Sequence, residues 1–120
     1  MDLSHEDAAR FAQAWIEAWN SRDVDAILSH YADDVSFSSP FVVKLSGREN
    51  GMLNGKDELR AYFLSALETF PDLHFADLTF FIGMSEVVLA YRSVWDVQAA
   101  EYMQLNEALQ AVVVRCHYHE

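Results

Sequence analysis

The sequence predicts an α+β domain, with three N-terminal helices packed on one face of a curved, mostly antiparallel sheet. One change of period carries that expectation. Apolar residues recur at helical spacing as far as Phe70, whereas from Leu73 onward the chain is enriched in Val, Phe, Tyr and Thr and is punctuated by turn candidates. At 120 residues and 52% apolar content it is one domain spanning 1–120, large enough for a single core.

Ser4 and Asp7 form a variant of the capping box, and Ala8, Phe11, Ala12, Trp15, Ile16 and Trp19 trace the buried stripe of the first helix. Asp23 is a good N-cap for a short second helix, because its carboxylate can accept from the free amides of the next turn. Val24, Ile27, Leu28 and Tyr31 fall on one face of that helix. Asp33-Asp34 are expected to end it in a turn, after which Val35 and Phe37 alternate with serines as a strand does before Pro40. Phe41, Val42 and Val43 suggest a short return strand. Ser46 to Gly55, with three glycines, reads as a loop that could form a rim or lid.

The third helix follows Gly55. Asp57 and Glu58 suit the helix dipole in its first turn, Leu59, Phe63, Ala66, Leu67 and Phe70 form its buried face, and Pro71 helps to stop it. Turns at Gly83 to Glu86, Trp95 to Gln98 and Asn106 to Leu109 divide the remainder into four strands.

Eight basic residues against 19 acidic ones give a formal net charge of -11, which repels phosphate backbones and anionic lipid. No nucleic-acid partner is expected. No window approaches the roughly 20 apolar residues that span a bilayer, so no membrane partner is expected either. A single cysteine, Cys116, excludes an intramolecular disulfide; with no basic, apolar leader at the start, the expected location is cytoplasmic. His117 and His119 share one side of the last strand but lack an evident third ligand, so they read as a polar strand end and not a metal site. No metal or cofactor is expected.

If the second strand turn is centred on Asp96 and Val97 and the third on Glu107 and Ala108, Arg92 stands opposite Glu101 and Glu101 opposite Val114. Val88, Ala90, Val94, Met103, Leu105, Val112, Cys116 and Tyr118 share that face, and the helices would cover it. Tyr91, Ser93, Tyr102, Gln104, Arg115 and His117 fall on the other. A guanidinium and a carboxylate would then sit in an apolar concavity, as a ligand pocket requires, with Asp77 as a second carboxylate beside Arg92. A structural cross-strand ion pair is the alternative account.

Aligned without a gap from the first helix to Pro40, the chain resembles ketosteroid isomerases of the nuclear-transport-factor-2-like superfamily at Ala18, Asn20, Asp23, Asp25, Ile27, Ala32 to Asp34 and Pro40. It does so again at Gly55, Arg60 and the last two strands. The segment from Gly47 through Tyr91-Arg92-Ser93 and Ala99-Ala100-Glu101 to His117-Tyr118 looks like small bacterial SnoaL-like proteins. The resemblance implies a cone-shaped, cystatin-like fold. It puts the isomerase base position on Ser39, the oxyanion tyrosine on Trp15 and its supporting tyrosine on Phe63; the oxyanion aspartate has a relative in Glu101. A serine is not basic near neutral pH, so steroid isomerisation by that route is not expected. Asp77, Arg92 and Glu101 also echo the composition of epoxide hydrolases of this fold, without a matching motif.

Together these readings make Trp15, Phe37, Ser39, Phe63, Arg92, Glu101, Met103 and Tyr118 the expected ligand-binding lining. Ordinary core packing is an equal account of Trp15, Phe37 and Phe63 taken singly. The expected function is binding of a small apolar ligand with a polar group, by a homodimer. The alternatives are an isomerase, cyclase or hydrolase using Glu101 as acid or base, and a protein-interaction module using the outer sheet face at Tyr91 and Tyr102.

Overall fold

A computed structural model describes residues 2–119. Helix α1 (His5–Ser21) starts where Ser4 accepts from the Asp7 amide, and ends where Arg22 turns left-handed and its N–H returns to Trp19. Asp23 caps α2 (Val24–Leu28), accepting from the amides of Asp25 and Ala26. Strand β1 (Tyr31–Ser38) leads into α3 (Pro40–Ser46), and β2 (Met52–Asn54) into α4 (Lys56–Thr69). Strands β3 (Ala76–Ile82), β4 (Glu86–Arg92), β5 (Gln98–Leu105) and β6 (Ala111–Tyr118) follow, with one 3-10 turn at Val94–Asp96. The sheet order is β2-β1-β6-β5-β4-β3; β1 runs parallel to β6 and every other pair is antiparallel.

The helices bury their apolar stripes on one face of this sheet. Trp15, Ile27, Leu59 and Phe63 meet Leu89, Met103 and Val114, all at most 1% exposed. Two polar side chains near the end of α1 fix the connection between α4 and β3. The Asn20 amide accepts from the Phe75 N–H at 2.8 Å and donates to the Phe75 carbonyl at 3.0 Å, as a neighbouring strand would. The Arg22 guanidinium donates to the carbonyls of Leu67 and Phe70, which the end of α4 leaves without helical partners.

Several sequence expectations are corrected. Phe41 to Val43 are helical, because Ser39 accepts from the Phe41 amide as an N-cap and Pro40 supplies a φ suited to the first helical position. Tyr31 opens β1 and does not belong to the second helix, and Asp33-Asp34 lie exposed inside that strand, where its register against β6 is broken between Tyr31 and Ser36.

The register of β4 on β5 is the largest departure. Arg92 pairs with Gln98 and Leu89 with Glu101, a slip of three positions from the expected pairing. An odd slip reverses a strand's faces, so Val87, Leu89 and Tyr91 point into the core in place of Val88, Ala90 and Arg92. The cause is the turn, where the Ser93 N–H bonds the Val97 carbonyl across a wider loop and Trp95 and Asp96 are both left-handed, at φ 57° and 61°. Between β5 and β6 the slip is even, with Glu101 opposite Cys116, and the face is the expected one.

Candidate functional site

A narrow pocket lies between the sheet and α4, with about 50 Å³ of free space. Its inner wall is aromatic: Trp19 from α1, Tyr31 and Phe37 from β1, Phe63 from α4, Phe75 ahead of β3 and Tyr91 from β4. Rings pack on one another at centroid distances of 4.7 Å for Trp19–Phe63 and 4.6 Å for Phe75–Tyr91, in tilted or edge-on geometry. At the outer end the half-buried Phe41 of α3 meets Tyr118 at 4.8 Å and the exposed Trp95 at 5.9 Å, while Phe70 meets Trp95 at 5.1 Å.

Glu101 is the one carboxyl group on this lining, 5% exposed. The Tyr91 hydroxyl donates to its Oε1. Burial pushes the carboxyl up to about 7, against the opposing pull of the Tyr91 hydroxyl and the Cys116 thiol. Burial first, and then the neighbouring Glu101 charge, hold Tyr31 and Tyr91 well above the usual phenol range, so both remain protonated donors. Burial likewise raises the Cys116 thiol, which argues against a nucleophilic thiolate. A carboxyl poised near neutrality can give or take a proton, and no Lys, Arg or His lines the pocket to hold it ionised.

Of the residues singled out from the sequence, Phe37, Phe63, Glu101 and Tyr118 meet on this pocket. Trp15 stands behind it, fully buried, its indole N–H donating to Tyr31 at 3.0 Å. Ser39 is buried beside Tyr62, Cys116 and Tyr118 but is engaged in capping α3. Met103 belongs to the core beneath.

Arg92 is excluded from the pocket. It lies on the outer side, nearly half exposed, bonded to Asp77 at 3.0 Å and Asp96 at 3.1 Å. The predicted flanking by two carboxylates is present, but in solvent and with Asp96 in place of Glu101. Tyr91, expected outside, is 1% exposed and inside. Trp19, Tyr31, Tyr62 and Tyr91 were missed as lining residues. A wider β4–β5 turn would have revealed Tyr91; Trp19 was legible only as a core position. Among the described residues no group of three or more His, Cys, Asp or Glu side chains could hold a metal ion, and no helix is long and apolar enough to cross a membrane.

Compared with known proteins, residues 12–116 match the SnoaL-like domain. The chain belongs to that family. A SnoaL-like protein of unknown function from Burkholderia thailandensis is 37% identical over the whole of both chains, with a TM-score of 0.94. At lower identity the likeness is one of fold. An NTF2-like protein from Anabaena variabilis is 15% identical at TM-score 0.75, covering 100% of this chain and 95% of its own. A protein with cystatin-like fold from Methylobium petroleophilum gives the same identity and score, covering 100% and 80%. No curated protein matches the chain. The SnoaL-like assignment agrees with the cone-shaped α+β architecture and leaves the chemistry to the residues of the pocket.

Proposed function

We propose that this SnoaL-like domain binds a compact, largely apolar molecule between Phe63 and Tyr91, with Glu101 as the polar contact that orients it. The observation that carries this reading is a single buried carboxyl, its proton held more tightly because of burial, on a largely aromatic and apolar wall. The free space, about 50 Å³, is several-fold below the roughly 300–1,000 Å³ of sites for drug-sized ligands. That restricts the reading to small ligands admitted as the rings at the mouth move. The test is protein-observed NMR with single-ring compounds, in the wild type and in Phe63→Trp, which fills the pocket. Binding that shifts the amides of Tyr91 and Glu101 and vanishes in Phe63→Trp is expected. Binding confined to other surfaces would overturn the reading.

A catalytic version is favoured by the same carboxyl, which at a pKa of about 7 suits general acid–base work in an isomerase, cyclase or hydrolase. Glu101→Gln would then abolish turnover, and an unchanged rate would remove Glu101 from the mechanism. For the assembly we favour a homodimer through the outer sheet face, where Val88, Ala90, Tyr102 and Val113 are only partly buried. Sedimentation showing a monomer at micromolar concentration would refute it.

A further inference from the structure

The carboxyl of Glu101 is buried without a cation. It is 5% exposed on the pocket lining, and among the described residues no Lys, Arg or His shares that lining. Arg92, expected opposite it, is turned outward to Asp77 and Asp96. The donors that Glu101 does have are neutral, the Tyr91 hydroxyl and the Cys116 thiol. An ionised carboxylate offers about four acceptor sites, so two donors leave room for a further partner on a group that lines the hollow. The titratable groups that face it from the adjoining elements are Tyr31 on β1, Tyr62 on α4, Tyr91 on β4, and Cys116 and Tyr118 on β6. Burial raises all five, so they stay neutral and supply no positive charge.

A buried acid in this setting can ionise at low cost only if a cation comes to it from outside the chain. The rest of the wall suits one, because most of the lining is aromatic and ring faces attract cations within about 6 Å. Outside the pocket, the exposed Lys44 ammonium already rests 5.2 Å from the centre of the Phe41 ring at the mouth. The net charge of -11 adds a field that draws cations toward the chain. We infer that the guest of this pocket is a protonated amine on a small apolar body, its N–H groups donating to Glu101 and its alkyl or aryl part lying against Phe63 and Tyr91. This rests on the proposed reading of the pocket as a small-molecule site and names the class of molecule. A carboxylate or phosphate would meet a like charge, an alcohol brings one hydrogen bond but no positive charge, and a hydrocarbon leaves Glu101 without a partner. Uptake of the amine by the protonated form of Glu101 releases the carboxyl proton to solvent and leaves a carboxylate–ammonium pair.

The test uses two single-ring probes of nearly equal shape, benzylamine and its neutral counterpart benzyl alcohol. Each is titrated into the full chain at about pH 7.5 and about pH 5.5, and the amides of Tyr91 and Glu101 are followed by NMR. At the higher pH benzylamine is expected to bind tighter than benzyl alcohol by about tenfold or more, as a hydrogen bond to a charged group does. An alkylammonium keeps its charge at both values, as lysine does with a pKa of about 10.4, so the pH dependence belongs to the carboxyl. Affinity for the amine should fall about tenfold at the lower pH, where Glu101, at about 7, holds its proton, while benzyl alcohol is unaffected. Glu101→Gln should bring the two probes to similar affinity. The pH dependence in the wild type needs no substitution, so a poorly folded variant leaves the test intact. Equal binding of both probes in the pocket at both pH values would overturn the inference and leave the pocket reading standing. A preference for benzylamine that survives in Glu101→Gln would belong to the general acidity of the chain and would overturn the inference too. If neither probe moves the Tyr91 and Glu101 amides, both are wrong.

Discussion

Tyr91 and Glu101 lie diagonally across neighbouring strands, and the phenol of one donates to the carboxyl of the other inside the core. Leu89, not Tyr91, is the direct partner of Glu101, and diagonal neighbours in a sheet are about 7–8 Å apart, within reach of a tyrosine. Burial dominates the balance at Glu101, and its consequence for stability has a definite sign. The folded chain holds the proton up to about pH 7, against about 4.5 for an unperturbed carboxyl. The stabilising contribution is therefore fully present below about pH 4.5 and is lost as pH rises through about 7, to an extent of about 3 kcal/mol. Glu101→Gln, which resembles the neutral acid, should match the wild type near pH 4.5 and exceed it by an amount of that order at pH 8.5. Urea unfolding at the two pH values measures this, and a gap independent of pH would refute it.

Tyr31→Phe removes the acceptor of the Trp15 indole N–H in a fully buried setting. A loss of about 1–3 kcal/mol is expected, read from the denaturant midpoint. A loss under a few tenths would mean that the indole finds another acceptor.

Arg92→Ala should be nearly silent. Its partners Asp77 and Asp96 are largely exposed, and surface pairs contribute about 0–1 kcal/mol. A loss under about 1 kcal/mol that shrinks with added salt, with no change in probe binding, is the expected result; loss of binding would return Arg92 to the site.

Gly51 is left-handed at φ 65°, and a Cβ there would lie 3.1 Å from the carbonyl oxygen of Ser39, whose N–H bonds the Gly51 carbonyl. Gly51→Ala should therefore cost about 1–2 kcal/mol through backbone conformation and crowding together. Thermal melting checks it, and a neutral substitution would mean that the loop shifts away from Ser39.

Much of the architecture was legible because its signals are local. Ser4 and Asp23 cap the helices they were expected to cap, and the shift of period after Phe70 does separate α4 from the meander. Ser39-Pro40 also carried a helix-start signal, which the β-branched Val42-Val43 obscured. The site was less legible, since facing depends on the parity of a register. The β4–β5 turn lacks an Asn-Gly or Asp-Gly and places Trp95 beside Asp96 in left-handed conformations, and for a tryptophan nothing in the side chain advertises that. One wider loop exchanged Tyr91 for Arg92 inside. Glu101 kept its place because the error in the following turn was even.

Trp19, Asn20 and Arg22 stand within four consecutive positions; the first forms part of the pocket wall and the other two tether the α4–β3 connection, whose Phe70, Leu73 and Phe75 also line the pocket. Both ends of that connection are thereby tied to α1 by directional bonds. Phe41 and Trp95 are held across the threshold by ring contacts. Under the proposed reading, Phe41 of α3 and Trp95 are therefore the side chains that part to admit a guest, and how far they separate limits its size.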